Sequence, residues 1–460
     1  MNITDEQKQV LLSAPLDHEG HSQCVLQLHP SRYRFTVTHG WLRYNGRYWE
    51  TEGAEQSVER AITNTLTKRR ELFAAKEEWK LAKLCAAWRQ NVTGTKAQLA
   101  KSSAVFASIS DFDKSPDHLN CANGVLDLRS GEIELHNPAQ LYTYCLFVEY
   151  HAKLAIYAED WLEFLMSAGL DGEMVEYMRL ALGYSLTGHT SEEVMFYLFG
   201  VTRSGKGTTT ETINAIMSTL ATGVDMETFT SKRYGDTSNF DLAPLKAKRF
   251  ITASESQRHG QLNPAFIKKV TGGDDIYCSF KRRDHFSYRP QFKIWLTSNF
   301  PANTDVDDDA AWGRLRIIEF PISFLGREDR TLKQRLRTPE SMNAIFSWMV
   351  SGAIDWYKMR GTGLPLPEQI AQRAIEHRAE LDSVAQFVEQ MCALDSDAFT
   401  IGGRLYASYK AWCDEEGYQA FGRKRFTQSL AAKNVTGDVR RVAGATHRGY
   451  VGIRFLSDEV

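Results

Sequence analysis

At 460 residues the chain is too long for one ordinary domain and has room for about two to four. Its 43% hydrophobic and 24% charged content is that of a globular protein, which excludes a disordered or fibrous chain. A net charge of −2 supplies no global attraction to nucleic acid, so any such surface has to be a local patch, and no apolar run nears the roughly 20 residues a bilayer span needs.

In chain order, residues 1–30 read as helical and then weakly structured, opening on Met-Asn-Ile-Thr-Asp-Glu-Gln-Lys, which is not a secretory signal. His18, His21, Cys24 and His29 lie close together there, but their spacing fits no familiar metal-ligand pattern and packed or solvated side chains are expected. From 31 to 50, Tyr33, Phe35, Val37, Trp41, Tyr44, Tyr48 and Trp49 alternate around a turn at Asn45-Gly46, a small hairpin. Charged, apolar-periodic helices follow over 54–108, and Asn120–Leu128 with Ser130-Gly131 reads as a strand pair. Helical pattern returns at 159–186, strands and helices alternate over 190–325, and a helix at 328–360 precedes the break Gly361-Thr-Gly-Leu-Pro-Leu-Pro367. Residues 385–460 form a compact mixed segment ending in two strands. Seven cysteines, at 24, 85, 121, 145, 278, 392 and 413, stand singly without a C-x-x-C pair, as in a reduced cytoplasm and unlike a zinc ribbon.

The most specific signal is Val194–Thr208. A buried-strand run enters Gly200-x-x-x-x-Gly205-Lys206-Gly207-Thr208, and a Thr-rich helix follows. Glycines at those positions let backbone N–H groups wrap a phosphate chain, the helix N-terminus adds its dipole, and Lys206 reaches the β/γ oxygens. ATP is the expected nucleotide, cradled by Gly200, Ser204, Gly205, Lys206, Gly207, Thr208 and Thr209. A partner strand, Arg249-Phe-Ile-Thr-Ala-Ser254-Glu255, ends in acid at the sheet edge that faces ligand in parallel α/β proteins. Glu255 there is placed to activate the attacking water, and Ser254 stands where many ATPases carry a magnesium-holding Asp; a merely solvated strand-end Glu is the bland alternative. A third strand, Phe292–Asn299, ends in an amide suited to sensing the γ-phosphate. Beyond it, Arg314 and Arg316 precede another strand, either to reach a neighbour's phosphate or only to pair with Asp307-Asp-Asp309.

The ordered set Gly-x-x-x-x-Gly-Lys-Gly-Thr, Ser254-Glu255, Lys269-Val-Thr-Gly-Gly-Asp274, Thr297-Ser-Asn299 and Trp312-x-Arg-x-Arg316 resembles superfamily 3 helicases, above all the phage and plasmid primase–helicase family with its poxvirus D5-like members. Gly40–Trp49 and Asn123–Leu128 look like that family's N-terminal helicase-associated region, and Arg404-Leu-Tyr-x-x-Tyr-x-x-Trp412 with Arg423-Lys-Arg-Phe426 like its C-terminal winged helix. The resemblance implies a multidomain chain, mainly α plus α/β: a helical N-terminal region (1–160), an AAA+-like ATPase core (161–330), a helical connector (331–384) and a winged helix (385–460). It implies a homo-oligomeric ring, usually a hexamer, moving 3′→5′ on single-stranded DNA and opening forks. Lys206, Glu255, Asn299 and Arg314 then take catalytic roles, and Thr208 and Glu255 hold Mg²⁺, partly through water. Two departures stand out. Gly207 occupies the usual first Ser/Thr position, with Thr202 and Ser204 where Gly and Asn are frequent, and Gly313 replaces a frequent Arg.

For DNA, Ile276–Arg289 interleaves basic and aromatic residues over hairpin length, and Lys281, Arg282, Arg283 and His285 are the candidates for a channel-facing grip, with Phe286 packing. A solvated basic turn is the alternative. Arg423, Lys424 and Arg425 open a helix ahead of Arg440-Arg441 and His447-Arg448, a patch suited to duplex DNA or to protein docking. Only about 30 residues precede the helicase-associated region, too few for a primase fold, so a separate primase is an expected partner. No membrane association is expected, and the cytoplasm of a bacterial host is the expected compartment. A replication initiator or origin-binding ATPase is the alternative reading, and a nucleotide kinase a lesser one.

Overall fold

The computed structural model describes residues 3–230, 242–254, 261–279, 285–306, 308–359, 361–418, 420–442 and 444–459. Its centre is a five-stranded sheet of β1 (Met195–Gly200), β2 (Ala221–Gly223), β3 (Phe250–Ser254), β4 (Lys293–Ser298) and β5 (Leu315–Phe320). The order across the sheet is β5-β1-β4-β3-β2, and every pairing is parallel. Parallel strands covered on both faces should be largely apolar, and the central strand Met195–Gly200 reads Met-Phe-Tyr-Leu-Phe-Gly. Alternate residues divide between two cores: Phe196, Leu198, Trp295 and Ile318 enter one, while Met195, Tyr197, Leu296 and Ile317 enter the other.

The first core is closed by α1 (Gly172–Leu186), capped by the Asp171 carboxylate accepting Met174 N, and by α3 (Pro339–Lys358), capped by Thr338 with Pro339 at its start. These helices cross with backbones nearly touching. A Cβ on Gly352 would sit 2.0 Å from the Arg179 carbonyl oxygen, and one on Gly183 would sit 2.2 Å from Ala353 N. On the same face α2 (Lys206–Met217) packs into the first core through Ile213, Ile216 and Met217, and α4 (Glu368–Leu381) packs along β5 through an Arg373–Glu319 ion pair.

The N-terminal region joins this body rather than hanging from it. Helices Asp5–Ser13 and His18–Leu28, a three-stranded sheet over 33–50, three helices over 54–101 and a second three-stranded sheet over 118–134 lead into the first core through Leu119, Val125 and Leu126. Two buried cations lock the seam: Arg249 donates to the carbonyls of Leu186, Ser115 and His118, and Lys293 to those of Thr187, His189 and Gln291. Burial presses the Lys293 ammonium well below its ordinary pKa, with Arg249 adding to the effect. The cysteine–histidine group near the N-terminus packs instead of converging. His21 is fully buried against Arg69, His18 bonds Thr95, and no metal-ligand cluster exists among the described residues. At the C-terminus, helices Ser383–Met391, Gly402–Glu416 and α5 (Arg423–Ala431) cover an antiparallel sheet of Cys392–Ile401, Ala445–Phe455 and Thr436–Val442 around their own core.

Replacing Gly352 by Ala should cost about 1–3 kcal/mol of stability by forcing α1 and α3 apart. Chemical unfolding measures it, and an unchanged midpoint would contradict the packing described.

Candidate functional site

The C-terminal ends of β1, β3, β4 and β5 form one edge of the sheet, the edge where open α/β sheets receive ligands. Gly200 ends β1 with φ +148°, and a Cβ there would meet the Phe320 carbonyl oxygen at 2.2 Å. Gly205 caps α2 at φ +98°, where a Cβ would strike the Phe164 ring at 2.8 Å. Only glycine fits either place, so the loop wraps closely and turns the unpaired N–H groups at the start of α2 toward its mouth.

Lys206, 7% exposed, closes the loop from within. Its ammonium donates to the carbonyls of Gly200 and Val201 at 2.8 Å each, to Ser204 Oγ at 3.1 Å and to Asn299 Oδ1 at 2.9 Å. Burial lowers its pKa to about 8. The structure therefore brings the loop lysine, Ser204 and the strand-end amide to one point. Ser254, exposed at the end of β3, is one strand further away, with β4 between it and the loop. Glu255 lies outside the described residues.

Threonines of α2 differ in what they offer. Thr209, Thr210 and Thr212 return their hydroxyls to helix carbonyls, whereas Thr208, half-buried beside the loop, makes no such bond among the described residues. A hydroxyl left over at the first turn fits a magnesium ligand, and Gly207 contributes no side chain. The residues present thus fit a phosphate chain with its cation, Thr208 being the protein hydroxyl.

Sequence reading missed a second wall. Phe164, on helix Glu159–Ser167, packs on Gly205, and the segment after β5 clasps the loop: Phe324 N donates to the Arg203 carbonyl, Ser323 Oγ to that of Thr202, and Arg203 pairs with Glu328. No local pattern marks these residues, because each meets the loop from far along the chain.

Arg314 is at the opposite end. It precedes β5, its carbonyl accepts Met195 N at the start of β1, and the whole length of β1 separates it from Gly200. Its guanidinium donates to the Ala310 carbonyl and to Glu193 and, among the described residues, to no Asp of the run, whose Asp307 lies outside them. That run is engaged otherwise: Lys268 holds Asp308 and Arg378 holds Asp309. The segment leaving Asn299 is likewise fixed. Tyr197 bonds the Phe300 carbonyl, Leu262 N bonds that of Asn303, and Ala302 N donates to Nδ1 of His377. Burial, with Arg373 nearby, lowers the His377 pKa to about 4, so the neutral ring accepts that bond.

Strands Ile276–Ser279 and His285–Tyr288 pair as the expected hairpin, rooted in the second core by Ile276, Cys278 and Tyr288. Phe286 packs there beneath Lys246. Lys281, Arg282 and Arg283 lie outside the described residues, and His285 begins the returning strand. On α5, Arg423 and Lys424 are exposed, Arg423 lying over Tyr406. Arg425 differs from its two basic neighbours, since it pairs with Asp305 at 2.7 Å and lies over the Phe421 ring at 3.9 Å. One helical turn cannot aim all three outward, and position 425 faces the segment that carries Asp305.

Three family models match the chain in order: D5 N terminal like over 26–168, a family of unknown function (DUF5906) over 198–314, and Poxvirus D5 protein-like over 379–437. Curated relatives carrying the printed name "Putative helicase" include L207/L206 of Acanthamoeba polyphaga mimivirus, 26% identical over 63% of this chain and 32% of its own length. Another is 022R of Frog virus 3 (isolate Goorha), 23% identical over 51% of this chain and 26% of its own. The chain spans about a third of the length of the curated relatives it matches. Among solved structures, the apo NrS-1 C-terminal region aligns over 91% of this chain and 95% of its own, with 12% identity and a TM-score of 0.47. The chain is thus similar to D5-like proteins at both ends, through its D5 N terminal like and Poxvirus D5 protein-like matches, and to viral proteins named putative helicases. The relatives come from viruses of amoebae, frogs and invertebrates, so the expected bacterial host finds no support among them.

The depressed Lys206 pKa predicts a pH effect. Above about pH 8 the free loop loses its positive charge, so affinity for a nucleoside triphosphate should fall, by up to about tenfold per pH unit. Folding stability moves the other way: between about 8 and the ordinary 10.5 the unfolded chain binds more protons, and this residue's burial penalty fades. Nucleotide titrations from pH 7 to 9.5 check the first effect. Lys206→Arg, always charged, should abolish the slope, and an equal slope in both proteins would contradict the assignment.

Proposed function

We propose that this chain is the motor of an ATP-dependent DNA helicase of superfamily 3 type. It has an AAA+-like core and a C-terminal winged helix, works as a homo-oligomeric ring, most simply a hexamer, and moves 3′→5′ on single-stranded DNA to open forks during replication of a viral or mobile genome. The helicase names of its relatives and its D5-like matches support the class of activity. The observation that carries the mechanism is the distance between two predicted parts: Lys206 and Asn299 meet at one end of the sheet, while Arg314 stands at the other. A β-strand advances about 3.3 Å per residue, so Arg314 is roughly 17–20 Å from its own loop and can serve only a neighbouring copy. The strand order supports the AAA+-like reading, because β4 sits between the loop strand and the acid strand and Asn299 at its end accepts from Lys206.

In this reading the loop N–H groups and Lys206 hold the β- and γ-phosphates of ATP. Thr208 would hold Mg²⁺, with Glu255 and Ser254 acting through water, and the ion would supply charge neutralisation. Glu255 takes a proton from water as its oxygen bonds the γ-phosphorus and the bond to the bridging oxygen of ADP breaks. Arg314 of the adjacent copy neutralises the charge spread over the equatorial oxygens, a contribution worth about 10³–10⁵ in rate in GTPases. Asn299, held through Lys206, passes the change to the segment 300–305 and so to Arg425 of the C-terminal unit. Lys281, Arg282, Arg283 and His285 grip the strand in the channel, Arg423 and Lys424 contact duplex, and a separate primase is a fitting partner.

ATP turnover stimulated by single-stranded DNA, abolished by Lys206→Ala, tests the reading. Turnover without strand separation would favour an origin-binding initiator, and turnover that needs a nucleoside monophosphate a kinase. Mixing Arg314→Ala with Glu255→Gln chains should restore activity that neither has alone, and no recovery at any ratio would remove the shared site. Neutralising Lys281, Arg282 and Arg283 together should flatten the salt dependence of single-strand binding by about 0.7 for each phosphate no longer neutralised. An unchanged slope would take the hairpin off the DNA path.

A further inference from the structure

The turn feeding β1 carries a side chain that no motif marks. Glu193 has φ +50°, in the left-handed region that a residue with a Cβ seldom occupies. Its surroundings force it there. Its N–H donates to the Thr190 carbonyl at 3.0 Å. Before it, both oxygens of Glu192 are held, Oε1 by Trp356 Nε1 at 2.7 Å and Oε2 by Leu364 N at 2.8 Å. After it, Val194 is buried and Met195 N is bonded to the Arg314 carbonyl at 2.8 Å. Pinned on both sides, the turn delivers the Glu193 carboxylate to Arg314 Nη2.

Among the described residues Arg314 is held at two points. Nη1 donates to the Ala310 carbonyl at 2.9 Å, Nη2 to Glu193, and buried Nε has no partner among the described residues. A guanidinium has five N–H donors, so hydrogens on both terminal nitrogens remain for an oxyanion. An ion pair with Glu193 half exposed returns little stability, too little to explain a strained backbone. Strain that the surroundings over-determine gathers instead where geometry serves function.

We propose that Glu193 is a positioning residue for Arg314, holding the guanidinium in one orientation at the protomer edge so that its free donors face the γ-phosphate of a neighbouring copy. The proposal rests on reading Arg314 as a residue that acts across the seam. An arginine fixed before the reaction pays no ordering entropy during it, and a displacement of about 1 Å can cost a hundredfold in rate.

Glu193→Ala should slow DNA-stimulated ATP turnover by about ten- to a hundredfold with nucleotide affinity unchanged. Mixed with Lys206→Ala chains, which keep an ordered Arg314, the Glu193→Ala chains should regain turnover; mixed with Arg314→Ala chains they should not. Adding Glu193→Ala to Arg314→Ala should slow the enzyme no further. Glu193→Asn, which accepts the left-handed backbone more readily, should melt no lower than the natural protein yet share the rate loss. A full rate for Glu193→Ala beside a slow Arg314→Ala would overturn the positioning role and leave the shared site standing. A full rate for Arg314→Ala would bring down the reading beneath it. Lowered melting in both Glu193 variants, with no recovery beside Lys206→Ala, would mark Glu193 as structural only and overturn the proposal.

Discussion

A buried ammonium is costly, and Lys206 offsets that cost by gathering two carbonyls, a hydroxyl and an amide around itself. The set spans two strands, because Gly200 and Val201 leave β1 while Asn299 leaves β4. Whatever competes for that ammonium pulls on both strand ends together. Phosphate oxygens compete well, carrying full charge where carbonyls and the amide carry partial ones. The depressed pKa and the reach to Asn299 are thus two faces of one arrangement: a cation kept in a dry place until an anion takes it over.

The parallel sheet converts that local event into a division of labour. Strand register fixes loop and sensor at one edge and the Arg314–Glu193 pair at the other, and no side chain is long enough to bridge β1. In the proposed assembly both edges belong to one doubly covered sheet, so motion at the loop would reach a neighbour's site through shape rather than through a flexible arm. The path outward is short. Asn299 begins a segment tied by Tyr197, Leu262 and His377, and it ends at Asp305, where Arg425 attaches the C-terminal unit.

Much of this was legible in the residues. Glycines that must take positive φ, a lysine after them and amides or acids at strand ends are local necessities of phosphate binding, and the spacing of Gly200, Gly205 and Lys206 announces them. Asn299 could be placed because an apolar run has a countable end. Long-range pairings were not legible. Arg425 looks like Arg423 in sequence, and only the position of Asp305 turns it inward. Phe164 reaches Gly205 from outside the motif, and Glu193 is one of two adjacent acids whose roles diverge through Trp356 and Leu364. The host, finally, leaves no trace in packing or chemistry, which is why the bacterial expectation had nothing physical behind it.

The central claim, that one copy of the chain holds only part of a working site, is tested most directly by following ATP turnover per chain as the protein is diluted in the presence of single-stranded DNA. The account predicts a rate per chain that rises with concentration and levels off as copies assemble. A rate per chain that stays constant down to concentrations where the protein sediments as a monomer would contradict it.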